Sequence, residues 1–138
     1  MIAQKYQSKI QVIFRQQIQP WHPSSTLTHE AGVAVLKIAP EKFWDFSAAL
    51  FKSQTEFFDA YTANETRNKT YQRLAKVAGS VGVNENQVLG LLKVNENTAD
   101  QSQLNNGNQV TYEIKQMVKV SVLNKTKQRQ FEIAVVGF

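Results

Sequence analysis

The sequence predicts an α/β domain in which a run of helices is inserted between two strands. Apolar residues alternate with others at Lys9 to Ile18 and again at Gln130 to Phe138, and between these segments they recur at helical spacing. Helices bracketed by strands point to a sheet covered on at least one face. At 138 residues the chain has the size of one ordinary domain, and no internal repeat or linker divides it.

In the first strand Ile10, Val12 and Phe14 share one face, and Gln11, Ile13 and Arg15 the other. Pro20 and Pro23 then break the pairing and hold Gln19 to Pro23 extended. From Ser24 the period becomes helical: Leu27, Ala31, Ala34, Val35 and Ile38 form one stripe, with Ser24 or Ser25 as the cap. Pro40 closes that helix and suits the first turn of the next, where Glu41 meets the positive end of the dipole.

The second helix is predicted to run through Phe43, Phe46, Leu50, Gln54, Phe57 and Tyr61 on one face, with Trp44, Phe51 and Phe58 beside it. Their helical spacing marks these aromatics as core anchors rather than a ligand cage. After a break at Asn64 to Thr66, Tyr71, Leu74, Ala75, Ala78 and Val81 stripe a third helix that Gly82 ends. Asn84 and Gln87 have the spacing of a capping box for a fourth, carrying Val88, Leu91 and Leu92. Lys93 to Asn108 reads as a polar surface loop, and a fifth helix carries Val110, Ile114, Met117 and Val118. Two strands alone make a poor sheet, so a further strand from Met1 to Gln7, a second copy of the chain or a larger fold is expected to complete it.

Composition excludes more chemistry than it suggests. With no cysteine and two histidines, the chain can build no disulfide, thiolate nucleophile, iron–sulfur cluster or multi-histidine metal site from its own residues. His22 and His29, even with Glu30, match no zinc spacing, and His22 is expected to fix the turn at Trp21 and Pro23 instead. Ser24 or Ser25 with His29 and Glu30 forms a chance grouping, because no nucleophile elbow or glycine-rich oxyanion segment accompanies it. Gly79-Ser80-Val81-Gly82 lacks the spacing and the lysine of a phosphate loop. No catalytic, cofactor-binding or metal residue is therefore assigned, and no cofactor is expected.

The net charge is +5, and Lys115, Lys119, Lys125, Lys127 and Arg129 oppose only Glu113 and Glu132 in the last thirty positions. A solvated basic surface is favoured over nucleic-acid binding, because no arginine–aromatic interleaving accompanies the charge. No stretch approaches the roughly 18 to 20 apolar residues of a membrane span, and Met1 to Lys9 has no apolar signal core. Asn-x-Thr triplets at Asn64, Asn68 and Asn124 are weak evidence for secretion in a chain this rich in both residues. Compartment stays open.

One segment is more specific. Phe14-Arg15-Gln16-Gln17-Ile18-Gln19-Pro20-Trp21-His22-Pro23-Ser24-Ser25, with Glu30-Ala31, Ala39-Pro40-Glu41-Lys42-Phe43-Trp44, Asn64-Glu65-Thr66-Arg67-Asn68-Lys69-Thr70-Tyr71 and Leu74-Ala75, resembles the DsbA-like branch of the thioredoxin superfamily, in particular its eukaryotic members. The resemblance covers about Lys9 to Met117. It implies a thioredoxin-like sheet, with Lys9 to Ile18 as its second strand, a helical insertion over about residues 24–94, and Gln109 to Leu123 as the helix leading back. Enzymes of that family carry a Cys-x-x-Cys at the first helix, where the helix dipole stabilises a thiolate, and a cis-proline facing it. Here there is no cysteine, the last proline is Pro40, and Lys127-Gln128-Arg129-Gln130 stands where a Thr-Pro pair is expected.

The resemblance thus implies a truncated single domain, 1–138, without the first strand and both catalytic elements. Its expected function is protein binding or self-association without redox catalysis. A homodimer through the exposed sheet edge, or strand exchange involving Met1 to Ile18 or Gln130 to Phe138, is the expected form. The alternative is a fragment or divergent member of a thiol-disulfide oxidoreductase or glutathione-linked enzyme whose active site lies outside this chain. A blank insulin-reduction assay would fit both, and the coding sequence upstream would separate them.

Overall fold

The structure, a computed structural model, describes residues 16–95 and 107–123. Six α-helices and two 3₁₀ turns make up the regular structure of these residues. The helices are α1 (Pro23–Ile38), α2 (Phe43–Lys52), α3 (Asp59–Thr62), α4 (Arg67–Ser80), α5 (Glu85–Leu92) and α6 (Thr111–Leu123), with 3₁₀ turns at Pro40–Lys42 and Gln54–Phe57. There is no strand or sheet among the described residues, so the predicted α/β thioredoxin-like class is corrected to a helical one.

The core explains the correction. Helix α1 packs against α2, α3, α4, α5 and α6, and it is the centre of the fold. Every residue from Thr28 to Val35 is buried, so this stretch of α1 is enclosed and lies at the centre of the described helices. At the predicted first strand, Gln16 to Gln19 belong to no regular element, and the Gln19 amide donates to Ser25 Oγ rather than to a ladder. Short alternation does not by itself separate a strand from an extended arm. Lys9 to Arg15 and the whole of Gln130 to Phe138 lie outside the described residues.

The remaining core is closed by Phe46, Phe57, Tyr71, Leu74, Val88, Leu92 and Val110, all essentially sealed from solvent. The predicted stripes of α1 and α4 face this core. In α1, Ala31, Ala34 and Val35 are buried, with Leu27 and Ile38 packed against them. The predicted second helix does not run unbroken to Tyr61. Ser53 Oγ donates to the carbonyls of Ala49 and Leu50, the helix stops at Lys52, and Phe58 turns extended (φ −66°, ψ 149°). That break drives Phe57 into the core and turns Tyr61 outward, so Tyr61 and Trp44 are not the core anchors expected of them.

Local signals set several ends. Thr66 Oγ1 accepts from the Lys69 amide at the start of α4, and Asn84 Oδ1 from the Gln87 amide at the start of α5. Helix α4 ends in a Schellman arrangement: the Gly82 amide bonds the Gly79 carbonyl and the Val83 amide bonds Ala78, with Gly82 at φ +87°. Ser24 and Ser25 do not cap α1 as predicted; His22 is the N-cap residue, without a side-chain bond to the helix, and Pro23 occupies the first turn. Asn68, buried on α4, holds both polar groups of Val94: its amide nitrogen donates to the carbonyl (2.8 Å) and its oxygen accepts from the amide (3.0 Å).

Candidate functional site

Two polar clusters are built by residues distant in sequence. The first sits where the chain enters α1. Pro23, which has no amide hydrogen, opens the first turn of that helix, where amides lack intrahelical partners. The carboxylate of Asp59, the first residue of α3, reaches this end: His22 Nδ1 lies 2.7 Å from one oxygen and Ser24 Oγ donates to the other at 3.1 Å. The hydrogen bond from His22 holds the Asp59 carboxyl below the usual carboxylate range, and the hydroxyl and backbone amide of Ser24 add to it. Asp59 thus supplies from another helix the cap that α1 lacks in its own sequence. His22 adjoins Trp21, 70% exposed, and Asp59 lies two residues before Tyr61, 67% exposed, so the pairing ties together two segments that each carry a large exposed aromatic.

The chemistry open to this cluster is limited by its connectivity. Ser24 donates to the aspartate and not to the histidine, so its hydroxyl faces a carboxylate of lowered pKa rather than an imidazole base. His22 does not act on its own turn as predicted; its partner is thirty-seven positions away. His29 is buried on α1, with Nδ1 2.8 Å from the Ser25 carbonyl, and burial lowers its pKa from 6.5. The two histidines therefore serve separate tasks. Among the described residues no group of three or more His, Asp or Glu could hold a metal ion.

The second cluster lies inside the bundle. Glu30 of α1 is 2% exposed; its Oε1 accepts from Arg67 Nη2 at 2.8 Å and from Asn108 Nδ2 at 3.2 Å, and its Oε2 accepts from the Tyr71 hydroxyl. That hydroxyl also accepts from Arg67 Nε (2.5 Å) and Asn108 Nδ2 (3.1 Å), filling its one donor and two acceptor places. Burial pushes the phenol's pKa upward, and the Glu30 carboxylate beside it pushes it further, so it stays protonated and donates. Asn108 Nδ2 reaches the Leu92 carbonyl at 3.1 Å, while its oxygen takes the Val110 amide and the Thr111 hydroxyl at the start of α6. One side chain thus joins the end of α5 to α1, α4 and α6. Both oxygens of the buried carboxylate are partnered, and the side chain of Arg67, which pairs with it, is 40% exposed.

Of the grouping weighed from sequence, Ser24, Ser25, His29 and Glu30 go to different partners: Asp59, Gln19, the Ser25 carbonyl and Arg67 with Tyr71. Asp59, Arg67, Tyr71 and Asn108 carry the clusters; the sequence marks Arg67 and Tyr71 only through the resembling segment and the apolar stripe, and Asp59 and Asn108 not at all. One signal is legible: Arg67 and Tyr71 stand four apart on a helix and so share a face. No family model, curated protein or solved structure matches the chain.

Proposed function

We propose that the chain acts by binding protein, a second copy of itself included. The exposure of Trp21 and Tyr61, on segments tied by the His22–Asp59 pair, supports this reading. Tryptophan and tyrosine are the side chains that most often dominate protein interfaces, because they cover a large area at small entropic cost. Here the bonds of Asp59 to His22 and Ser24 tie the two segments together, which lowers the cost of ordering them on binding. Trp21 also belongs to the segment on which the family resemblance is most specific. Dithiol chemistry is not available to these residues, since cysteine is absent.

The test compares the native chain with a Trp21→Ala/Tyr61→Ala variant. Sedimentation over a range of concentrations reads self-association, and selection from a random peptide library reads heterologous binding. Self-association or selected peptides that weaken by about tenfold or more in the variant support the reading. Binding that is indifferent to both substitutions, or a chain that neither associates nor selects any peptide, overturns it.

A further inference from the structure

A second surface, made of other residues, carries its own inference. An open cleft of about 880 Å³ lies between α2 and α4 and the 3₁₀ turn at Gln54–Phe57. Ala49, Val77 and Val81 contribute apolar surface to it, and its charged lining is four cationic side chains, Lys42, Lys52, Arg73 and Lys76, against two acidic ones, Asp45 and Glu56. Two of the four are already engaged. Arg73 donates to Glu65 Oε1 (2.8 Å) and the Glu56 carbonyl (2.7 Å) and lies over the Phe57 ring, and Lys42 pairs with Asp45 at 3.5 Å. Lys52 and Lys76 have no acidic partner among the described residues. The cleft therefore presents an apolar floor with two uncompensated ammonium groups at its rim.

We propose that this cleft binds an acidic peptide segment of a partner protein. An apolar side chain of the segment rests on the Val77–Val81 floor, and flanking carboxylates meet Lys52 and Lys76. Charge complementarity selects this occupant. A nucleic acid fits less well: the one arginine is held by glutamates, and the one aromatic, Phe57, is sealed in the core and offers no stacking face. The site goes beyond the Trp21–Tyr61 surface and shares no residue with it, so either can fail without the other.

The probe is a fluorescein-labelled ten-residue peptide of paired glutamates separated by single leucines, read by anisotropy on the full chain. The expected result is binding that weakens about tenfold or more in a Lys52→Glu/Lys76→Glu variant, weakens with added salt, and falls when serine replaces leucine in the peptide. Trp21→Ala/Tyr61→Ala should leave it unchanged. Both lysines are exposed, so the charge-reversed chain should keep its circular dichroism spectrum. Absence of binding up to about 1 mM peptide, equal affinity in the charge-reversed variant, or tighter binding of a single-stranded oligonucleotide that the same variant abolishes would each overturn the proposal.

Discussion

The Tyr71 hydroxyl donates its proton to the Glu30 carboxylate, joining α4 to α1 across forty-one positions of sequence. Tyr71→Phe removes that donor and also the acceptor that Arg67 Nε and Asn108 Nδ2 use. An expected loss of about 1–3 kcal/mol follows from leaving buried groups unsatisfied, read as a lower denaturation midpoint at unchanged slope. Glu30→Ala should cost about 2–3 kcal/mol, below the roughly 3–5 of a fully sealed pair, because the partly exposed Arg67 can recover water.

His29 predicts an acid-side loss of stability. Its folded pKa lies below 6.5, so as pH falls under about 6.5 the unfolded chain takes a proton that the folded ring refuses. Stability is unaffected by this group at neutral pH and falls with pH until the folded ring also titrates. A His29→Gln variant should flatten the slope of unfolding free energy between about pH 5 and 6.5. The loss attached to Asp59, whose pKa is also lowered, begins only where free aspartate would titrate, so the two are separable by pH.

Two glycines should respond with opposite sign. Gly82, at φ +87°, ends α4 in a conformation that a Cβ opposes, and Gly82→Ala should destabilise by about 1 kcal/mol. Gly90 lies within α5 with open space where a Cβ would go, and Gly90→Ala should stabilise by about 0.5–1 kcal/mol. Thermal melts of the two variants check both signs.

Phe57 is the side chain that the break after α2 delivers to the core. Phe57→Ala should cost about 3–5 kcal/mol in chemical denaturation. Phe58→Ala, only partly buried one position on, should cost less than half as much; equal losses would contradict the inward turn of the chain at Gln54–Phe57.

The helices with a single apolar stripe were legible in the sequence, because one face sufficed to define each: Tyr71, Leu74, Ala75 and Ala78 on α4 are the example. Gly82 and Asn84 marked ends through chemistry confined to a few residues. What stayed hidden was set by distant partners. Nothing near Asp59 announces that it caps a helix starting thirty-six positions earlier, and nothing near Asn108 announces Glu30. The predicted sheet has no strand among the described residues: of its first strand only Gln16 to Ile18 are described, they belong to no regular element, and short alternation alone does not supply the neighbour a strand must bond. The unbroken second helix failed because a spacing rule carries no information about Ser53 turning back onto its own carbonyls.

The clasp of Asn68 on Val94 also orders events in time. The side-chain nitrogen that an oligosaccharide would occupy is spent on that carbonyl and closed off from solvent once α4 has docked. Sugar at Asn68 would therefore date its own attachment to the interval before docking, and a chain so marked could not close the clasp. Asn64, exposed in the turn ahead of α4, faces no such deadline.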